Sequence, residues 1–308
     1  MPHTKDSKGN PGYTKGHEKG VTSSPYLHRS NSVLSGSELI EAIIDGKEDR
    51  QSFELPYKGL MEKTKGIRLG ELWIFTAGVG IGKSTLLREC AYHFLKSGHR
   101  VGMLMLEEPI ERTVSRMIGL AIDKPADLLW NSLSEEEKSK GFEATVRTGR
   151  LGFYEHLGIT DLDTIVEKIR YMAIHYGSQF IVLDHLQYLI SSSKERDERL
   201  LVARVISTLK NLAMELNIGI LSASFLEILD GDKTHEKGLE ISLSHLLWSD
   251  IIPQFSDFVI GLERDNESKC RNHSRLRVLK NNYTYETGFA GRLIYMPETG
   301  RLIDYING

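Results

Sequence analysis

A short glycine-rich segment constrains the fold of this chain more than any other part of its sequence. The segment comprises Ala77, Gly78, Val79, Gly80, Ile81, Gly82, Lys83, Ser84 and Thr85. It follows the apolar run Leu72–Thr76 and precedes a stretch with helical spacing. Glycines let the backbone wrap closely around phosphate oxygens, so that amide N–H groups converge on them. A strand, such a loop and a helix in succession predict a phosphate-binding loop within an α/β domain.

Two side chains of this loop fit the chemistry of a nucleoside triphosphate. Lys83 supplies a point charge for the β- and γ-phosphates, and the Ser84 hydroxyl is a ligand for magnesium. The dipole of the following helix attracts the same phosphates. Ala77 stands where the usual pattern has its first glycine, but the strand–loop–helix context outweighs this departure. The alternative is a glycine-rich turn without a ligand.

Two other apolar runs end in carboxylates. Phe180–Leu183 is followed by Asp184, which at the carboxyl edge of a sheet is placed to hold magnesium through water. Val101–Leu106 is followed by Glu107 and Glu108, and a glutamate there fits the base that accepts a proton from the attacking water. We expect Glu107 to be this base, with Glu108 beside it. The alternatives are a turn aspartate and a solvated first helical turn, where glutamate is favoured.

From residue 69 onward, apolar runs alternate with amphipathic stretches, which is typical of a mostly parallel sheet flanked by helices. The candidate strands are Leu72–Thr76, Val101–Leu106, Phe180–Leu183, Ile218–Leu221, Phe258–Leu262 and Leu276–Leu279. Near the C-terminus, two apolar segments flank Pro297–Gly300 and predict a β-hairpin. The predicted fold class is therefore α/β.

The N-terminal part of the chain has a different character. Residues 1–34 are rich in Gly, Ser, Lys, His and Asn without an apolar period, so we expect them to be disordered or to form a linker. Residues 35–58 are expected to form a linker with a short helix, Ser37–Ile44. This helix packs either on its own domain or on a neighbouring subunit. Residues 59–308 are assigned to one ATPase domain.

Composition excludes several function classes. A net charge of −3 gives no global attraction to nucleic acid, so any such contact depends on local patches. The two cysteines, Cys90 and Cys270, lack a partner motif, which excludes a cysteine zinc site and favours a reducing, cytoplasmic compartment. We expect His185 to bond a backbone group rather than a metal. No apolar run reaches the roughly 18 residues of a membrane span, so no membrane partner is expected.

The order of these motifs resembles the helicase domain of superfamily 4 ring helicases. The likeness is greatest to short-tailed phage primase–helicases and more distant to mitochondrial Twinkle and bacterial DnaB. It covers about residues 59–304 and implies a RecA-like P-loop NTPase core. Besides the loop, it rests on Lys-Thr-Lys-Gly-Ile-Arg-Leu-Gly-Glu-Leu (63–72), Met-Leu-Glu-Glu (105–108), Leu-Asp-His (183–185), Gln-Phe-Ser-Asp (254–257), Leu-Glu-Arg (262–264) and Glu-Thr-Gly-Phe-Ala-Gly (286–291).

The resemblance implies a hexameric ring of identical subunits that hydrolyses Mg-ATP, or another NTP or dNTP, and pulls single-stranded DNA through its centre. Arg264 and Tyr295 match positions that sandwich the nucleotide base. Gln254 matches a residue that links the γ-phosphate to the DNA loops, and Lys280 matches another that responds to this phosphate. Ser37–Ile44 matches the arm that docks on the next subunit. Primase and polymerase are the expected replisome partners, and the host cytoplasm is the expected location if a phage encodes the chain.

Four departures from the family pattern fall between hydrolysis and DNA. Phe225 replaces a histidine that senses the γ-phosphate, and residues 227–233 carry more acid than base where the family has a lysine-bearing loop. Residues 247–250 read Leu-Trp-Ser-Asp instead of Arg-Gly-Ser-Gly, and Asn282 replaces an arginine finger, which contributes about 10³–10⁵ in rate. The candidate substitutes for this finger are Arg275, Arg277 and Arg292.

Three hypotheses follow. The first is a replicative DNA helicase motor that couples ATP hydrolysis to translocation on single-stranded DNA. The second is a degenerate ring subunit that binds nucleotide for assembly or regulation without efficient unwinding. The third, a RecA/RadA-type recombinase, fits the core but not the segment 286–291.

Overall fold

The computed structural model of the chain describes residues 36, 37, 40, 51–156, 160–191, 197–229 and 234–305. Its strands are β1 (Ser52–Phe53), β2 (Ile67–Arg68), β3 (Leu72–Ala77), β4 (Val101–Met105), β5 (Leu151–Phe153), β6 (Phe180–Asp184), β7 (Gly219–Phe225), β8 (Phe258–Arg264), β9 (His273–Asn281), β10 (Gly288–Met296) and β11 (Arg301–Asp304). Its α-helices are α1 (Lys58–Thr64), α2 (Lys83–Lys96), α3 (Ile110–Ile122), α4 (Ala126–Leu129), α5 (Glu135–Ala144), α6 (Leu162–His175), α7 (Leu186–Ser191), α8 (Glu198–Leu216) and α9 (Ile252–Phe255).

A nine-stranded sheet forms the centre of the molecule, in the order β11-β10-β9-β8-β3-β7-β6-β4-β5. The six strands from β8 to β5 are parallel, and β9, β10 and β11 continue the sheet in antiparallel fashion. The α/β fold class is confirmed, and so is the C-terminal hairpin, β10–β11. Each of the six predicted apolar runs lies wholly or mostly within a strand.

The sheet is buried on both faces, which explains why its strands are continuous apolar runs. Along β3, alternate side chains enter different cores: Trp73 and Phe75 lie in one cluster, and Leu72 and Ile74 lie in the other. The first cluster lies against α2, and the second lies against α6 and α8. Trp73 stacks on Phe258 with ring centroids 4.0 Å apart. The carboxyl edge of this sheet is thereby held rigidly between two cores.

The core also includes residues before position 59. Phe53, Leu55 and Tyr57 are buried in the cluster that contains α2. Of the predicted docking helix Ser37–Ile44, Ser37 and Ile40 are described, and both are helical and exposed. The rest of that helix and the predicted linker 1–34 lie outside the described residues.

None of the described helices combines the length and the apolar character that crossing a bilayer needs.

Candidate nucleotide-binding site

The phosphate-binding loop lies at the carboxyl edge of the sheet, between β3 and α2. Because β3 pairs with β7 on one side and β8 on the other, the loop projects from the middle of the sheet. Gly80 (φ 69°) and Gly82 (φ 120°) have backbone conformations that favour glycine. A Cβ on Gly78 would lie 2.7 Å from a carboxylate oxygen of Glu236. Ala77 is the last residue of the strand, where a side chain is tolerated, which explains the departure from the glycine pattern.

Lys83 is a buried cation at the start of α2. Its Nζ donates hydrogen bonds to the carbonyl oxygens of Ala77 (3.0 Å) and Gly78 (3.4 Å). Burial lowers the pKa of Lys83 to about 8, although the nearby carboxylates of Asp184 and Glu107 oppose this shift. A desolvated ammonium group gains most from an anion that enters the site, because a low local dielectric strengthens the attraction.

Asp184 lies at the end of β6, where it meets the start of α2. Burial raises the pKa of Asp184, and the nearby Ser84 hydroxyl opposes this shift. Its Oδ1 is buried and has no hydrogen-bond partner among the described residues. An unpaired buried carboxylate oxygen beside a hydroxyl fits a magnesium ion, which protein sites hold through one or two carboxylates plus phosphate oxygens and water. Ser84 and Asp184 would hold the ion.

The two consecutive glutamates after β4 have different environments. Glu108 accepts hydrogen bonds from Arg88 (3.0 Å), Thr113 (2.8 Å) and Arg116 (2.6 Å). The Glu107 side chain is half exposed, and its Oε1 lies 2.7 Å from Nε2 of His185. Glu108 is therefore committed to neighbouring side chains, whereas Glu107 faces open space.

A cavity of about 460 Å³ joins these groups. Residues of the loop, two strand ends and the hairpin line it: Gly80, Lys83, Ser84, Glu107, Asp184 and Tyr295. Beyond the phosphate end, it continues between α3 and the β10–β11 turn, past Gly119, Pro125 and Gly300. The Arg264 guanidinium donates a hydrogen bond to the Gly80 carbonyl oxygen (2.6 Å). The residues predicted for the phosphates, the ion, the base and the nucleotide ring thus meet at one edge of the sheet.

Gln254 and Lys280 lie apart from this cavity within the chain. Lys280 Nζ donates to the carbonyl oxygens of Pro253 and, at 2.5 Å, Ser256, which places it at the end of α9. The exposed Gln254 side chain donates to the Asp250 carbonyl oxygen on the same segment. The two residues are therefore neighbours of each other and are not among the residues that line the cavity.

Sequence reasoning missed two residues of the site. The His185 ring does not form the expected hydrogen bond to a backbone group of the described residues, and its Nε2 lies instead near the Glu107 carboxylate. No sequence signal indicates this contact, because it depends on β4 and β6 being adjacent in the sheet. Arg88, whose charge acts on Asp184, could have been found, since it lies four residues after Ser84 and therefore on the same helix face.

Fold and site together define a P-loop nucleotide-binding domain with a RecA-like core. A family model for the DnaB-like helicase C-terminal domain matches residues 54–288. The chain belongs to this DnaB-like helicase family.

Several relatives have similar sequences. The DNA helicase/primase of Enterobacteria phage T3 is 33% identical over 250 residues, which are 80% of this chain and 44% of that protein. A probable plasmid replicative DNA helicase of Chlamydia muridarum is 32% identical over 247 residues, which are 77% of this chain and 52% of that protein. The chain thus spans about half the length of the curated relatives it matches.

Solved structures confirm the fold. A DnaB-like replicative helicase, whose structure was described together with its interactions with primase, superposes with a TM-score of 0.70 at 18% identity, covering 90% of this chain and 68% of that one. A KaiC-like protein from Pyrococcus horikoshii gives 0.58 at 14% identity, covering 83% of this chain and 99% of that one. At these identities the likeness shows the fold alone.

Proposed function

We propose that this chain is the ATP-hydrolysing motor of a replicative DNA helicase that translocates on single-stranded DNA. The observation that carries the proposal is the convergence of Lys83, Ser84, Asp184 and Glu107 on one cavity at the carboxyl edge of the sheet. Membership of the DnaB-like helicase family supports the DNA-directed part of the proposal.

The geometry supports a division of labour among these side chains. Lys83 and the loop amides bind the β- and γ-phosphates of ATP or another NTP or dNTP. Magnesium, when bound, supplies charge neutralisation and orientation of the β- and γ-phosphate oxygens. Glu107 takes the proton of the attacking water, since its carboxylate faces the cavity and has half of its side-chain surface exposed. Arg264 and Tyr295 enclose the nucleotide base beyond Gly80.

The active assembly we propose is a hexameric ring, in which Gln254 and Lys280 of one subunit contact the γ-phosphate held by the next. Support comes from their position outside the cavity of their own subunit. Ring closure by a head-to-tail interface is the arrangement that lets each subunit complete its neighbour's site. Single-stranded DNA, primase and polymerase are the proposed partners, primase being the one named for a similar helicase. The proposed location is the cytoplasm, that of the host if a phage encodes the chain.

The test is nucleotide turnover by the purified chain, with and without single-stranded DNA. We expect DNA to accelerate turnover, and Lys83→Ala to abolish both turnover and nucleotide binding. Glu107→Gln should retain binding and lose about 10²–10⁴ in turnover, the usual contribution of a general base. The matched control is Glu111→Gln, an exposed glutamate in the first turn of α3. Slow turnover that is indifferent to DNA would instead identify a degenerate subunit that acts in assembly or regulation.

A further inference from the structure

We propose that His185 is a positioning residue that holds the Glu107 carboxylate over the cavity, with Phe225 fixing the orientation of its ring. The inference rests on the proposed role of Glu107 as the base. It adds a residue to that site, since His185 lines the same cavity and would act through Glu107 rather than on the phosphates or the water.

Strand pairing brings the two side chains together. In the parallel pair β4–β6, Met105 is opposite Asp184, and the Leu106 N–H donates to the Asp184 carbonyl oxygen (2.8 Å). Glu107, two residues after the end of β4, and His185, directly after β6, therefore leave the sheet side by side. Nε2 of His185 lies 2.7 Å from Oε1 of Glu107. This distance fits a hydrogen bond, but the orientation of the two groups does not meet hydrogen-bond geometry. Catalytic hydrogen bonds are often poorly aligned before substrate binds and become better aligned afterwards.

The imidazole also packs against Phe225. His185 is 5% exposed, and its ring lies edge-on to the Phe225 ring, with centroids 4.5 Å apart at 64°. The Phe225 ring also contacts Lys83, whose Nζ lies 4.2 Å from the ring centroid. A phenyl ring has no hydrogen-bonding group. Phe225 therefore orients His185 without competing for its N–H.

The contact between His185 and Glu107 restricts the conformation of the proposed base. A half-exposed glutamate samples several rotamers, and most of them point away from the water. An N–H donated to Oε1 selects one rotamer and leaves Oε2 to accept the proton from water. Because a displacement of about 1 Å at a reacting group can cost about 10²-fold in rate, the loss of this contact should lower kcat more than it changes nucleotide affinity.

The kinetic test compares two variants at position 185. We expect His185→Ala to lower kcat about tenfold or more, while KM and the affinity for nucleoside triphosphate change little. His185→Gln keeps an N–H donor and should recover most of kcat. Unchanged kcat in His185→Ala, or a Gln variant no better than Ala, would overturn the proposal.

A second readout needs no turnover and avoids changes in the core. In protein labelled with ¹⁵N-histidine and free of nucleotide, the His185 ring signals should shift in Glu107→Gln and stay in place in Glu111→Gln. Identical His185 signals in wild type and Glu107→Gln would exclude the contact. If the wild type has no nucleotide turnover, the proposed function fails, and these spectra still decide whether His185 holds Glu107.

Discussion

Glu107 and Glu108 are adjacent in the chain, but their different surroundings give them different chemical roles. Glu108 lies among two arginines and a threonine hydroxyl, all within hydrogen-bond distance. Three of the roughly four lone-pair sites of this carboxylate are thereby occupied by neighbouring side chains. Glu107 keeps an accessible carboxylate on the cavity. The adjacent pair thus divides into one structural residue and one candidate base.

Replacement of Glu108 tests this division. Glu108→Gln removes the charge that pairs with Arg88, which is 5% exposed, and leaves a buried guanidinium without its ion-pair partner. We expect the free energy of unfolding to fall by about 3 kcal/mol, measured by urea denaturation, while the folded fraction keeps most of its turnover. Glu111→Gln should stay within about 0.5 kcal/mol of wild type. A loss of turnover equal to that of Glu107→Gln, at unchanged stability, would show that Glu108 is the base.

At the scale of elements, the C-terminal hairpin closes one end of the cavity and is tied to the helix that begins at Lys83. Glu89 on α2 accepts two hydrogen bonds from Arg301 (2.9 and 3.0 Å) and one from the backbone N–H of Leu302 (2.8 Å). Arg301 also pairs with Asp123 at the end of α3 (2.7 Å). One arginine therefore joins three elements that line the nucleotide cavity.

The change Arg301→Ala tests this connection. Glu89 is 3% exposed and would keep a single backbone donor. We expect the free energy of unfolding to fall by about 3 kcal/mol, since a buried partner is left unpaired. KM for nucleotide should rise because the hairpin supplies Tyr295 and Gly300 to the cavity. The control is Arg147→Ala, which breaks an exposed pair with Glu143 and should cost less than about 0.5 kcal/mol. Equal effects of the two changes would show that the hairpin is held by other contacts.

Some elements could be predicted from the sequence and others could not, for physical reasons. Three strands, β3, β4 and β6, are buried on both faces. Each is therefore a continuous apolar run in the sequence, a pattern that predicts a buried strand. β9 was predicted only from 276 to 279, because Arg275 and Arg277 alternate with its apolar residues and pair with Glu263 on the neighbouring strand. β5 has three residues at the edge of the sheet, too few for a readable period.

At the scale of the whole molecule, the sequence predicts only those parts of the candidate site whose residues lie in one segment of the chain. Lys83 and Ser84 share a loop, so their spacing predicts their chemistry. The contact between Glu107 and His185 depends on strand order, which spacing along the chain does not contain. In the proposed ring, a further part of the site comes from another subunit, and the candidate finger arginines belong to this part.

The three candidate finger arginines have different environments in the structure. Arg275 and Arg277 both form ion pairs with Glu263, whose side chain is fully buried, at 3.0 and 2.6 Å. Arg292 on β10 is exposed, and its side chain makes no hydrogen bond or ion pair with any residue that the structure describes. Arg292 is therefore the candidate that is able to reach a phosphate on a neighbouring subunit without breaking a buried pair.

Mixed rings test this assignment. Arg292→Ala alone should lose about 10³-fold or more in turnover with nucleotide binding intact, whereas Arg204→Ala, an exposed arginine on α8, should lose little. Lys83→Ala subunits have no working loop but keep Arg292. Mixed in equal amounts with Arg292→Ala subunits, they should restore activity at about a quarter of the interfaces of a head-to-tail ring, measured as turnover per subunit. If Arg292 acted within its own subunit, no mixture of the two inactive variants would recover activity, because neither contains a complete site.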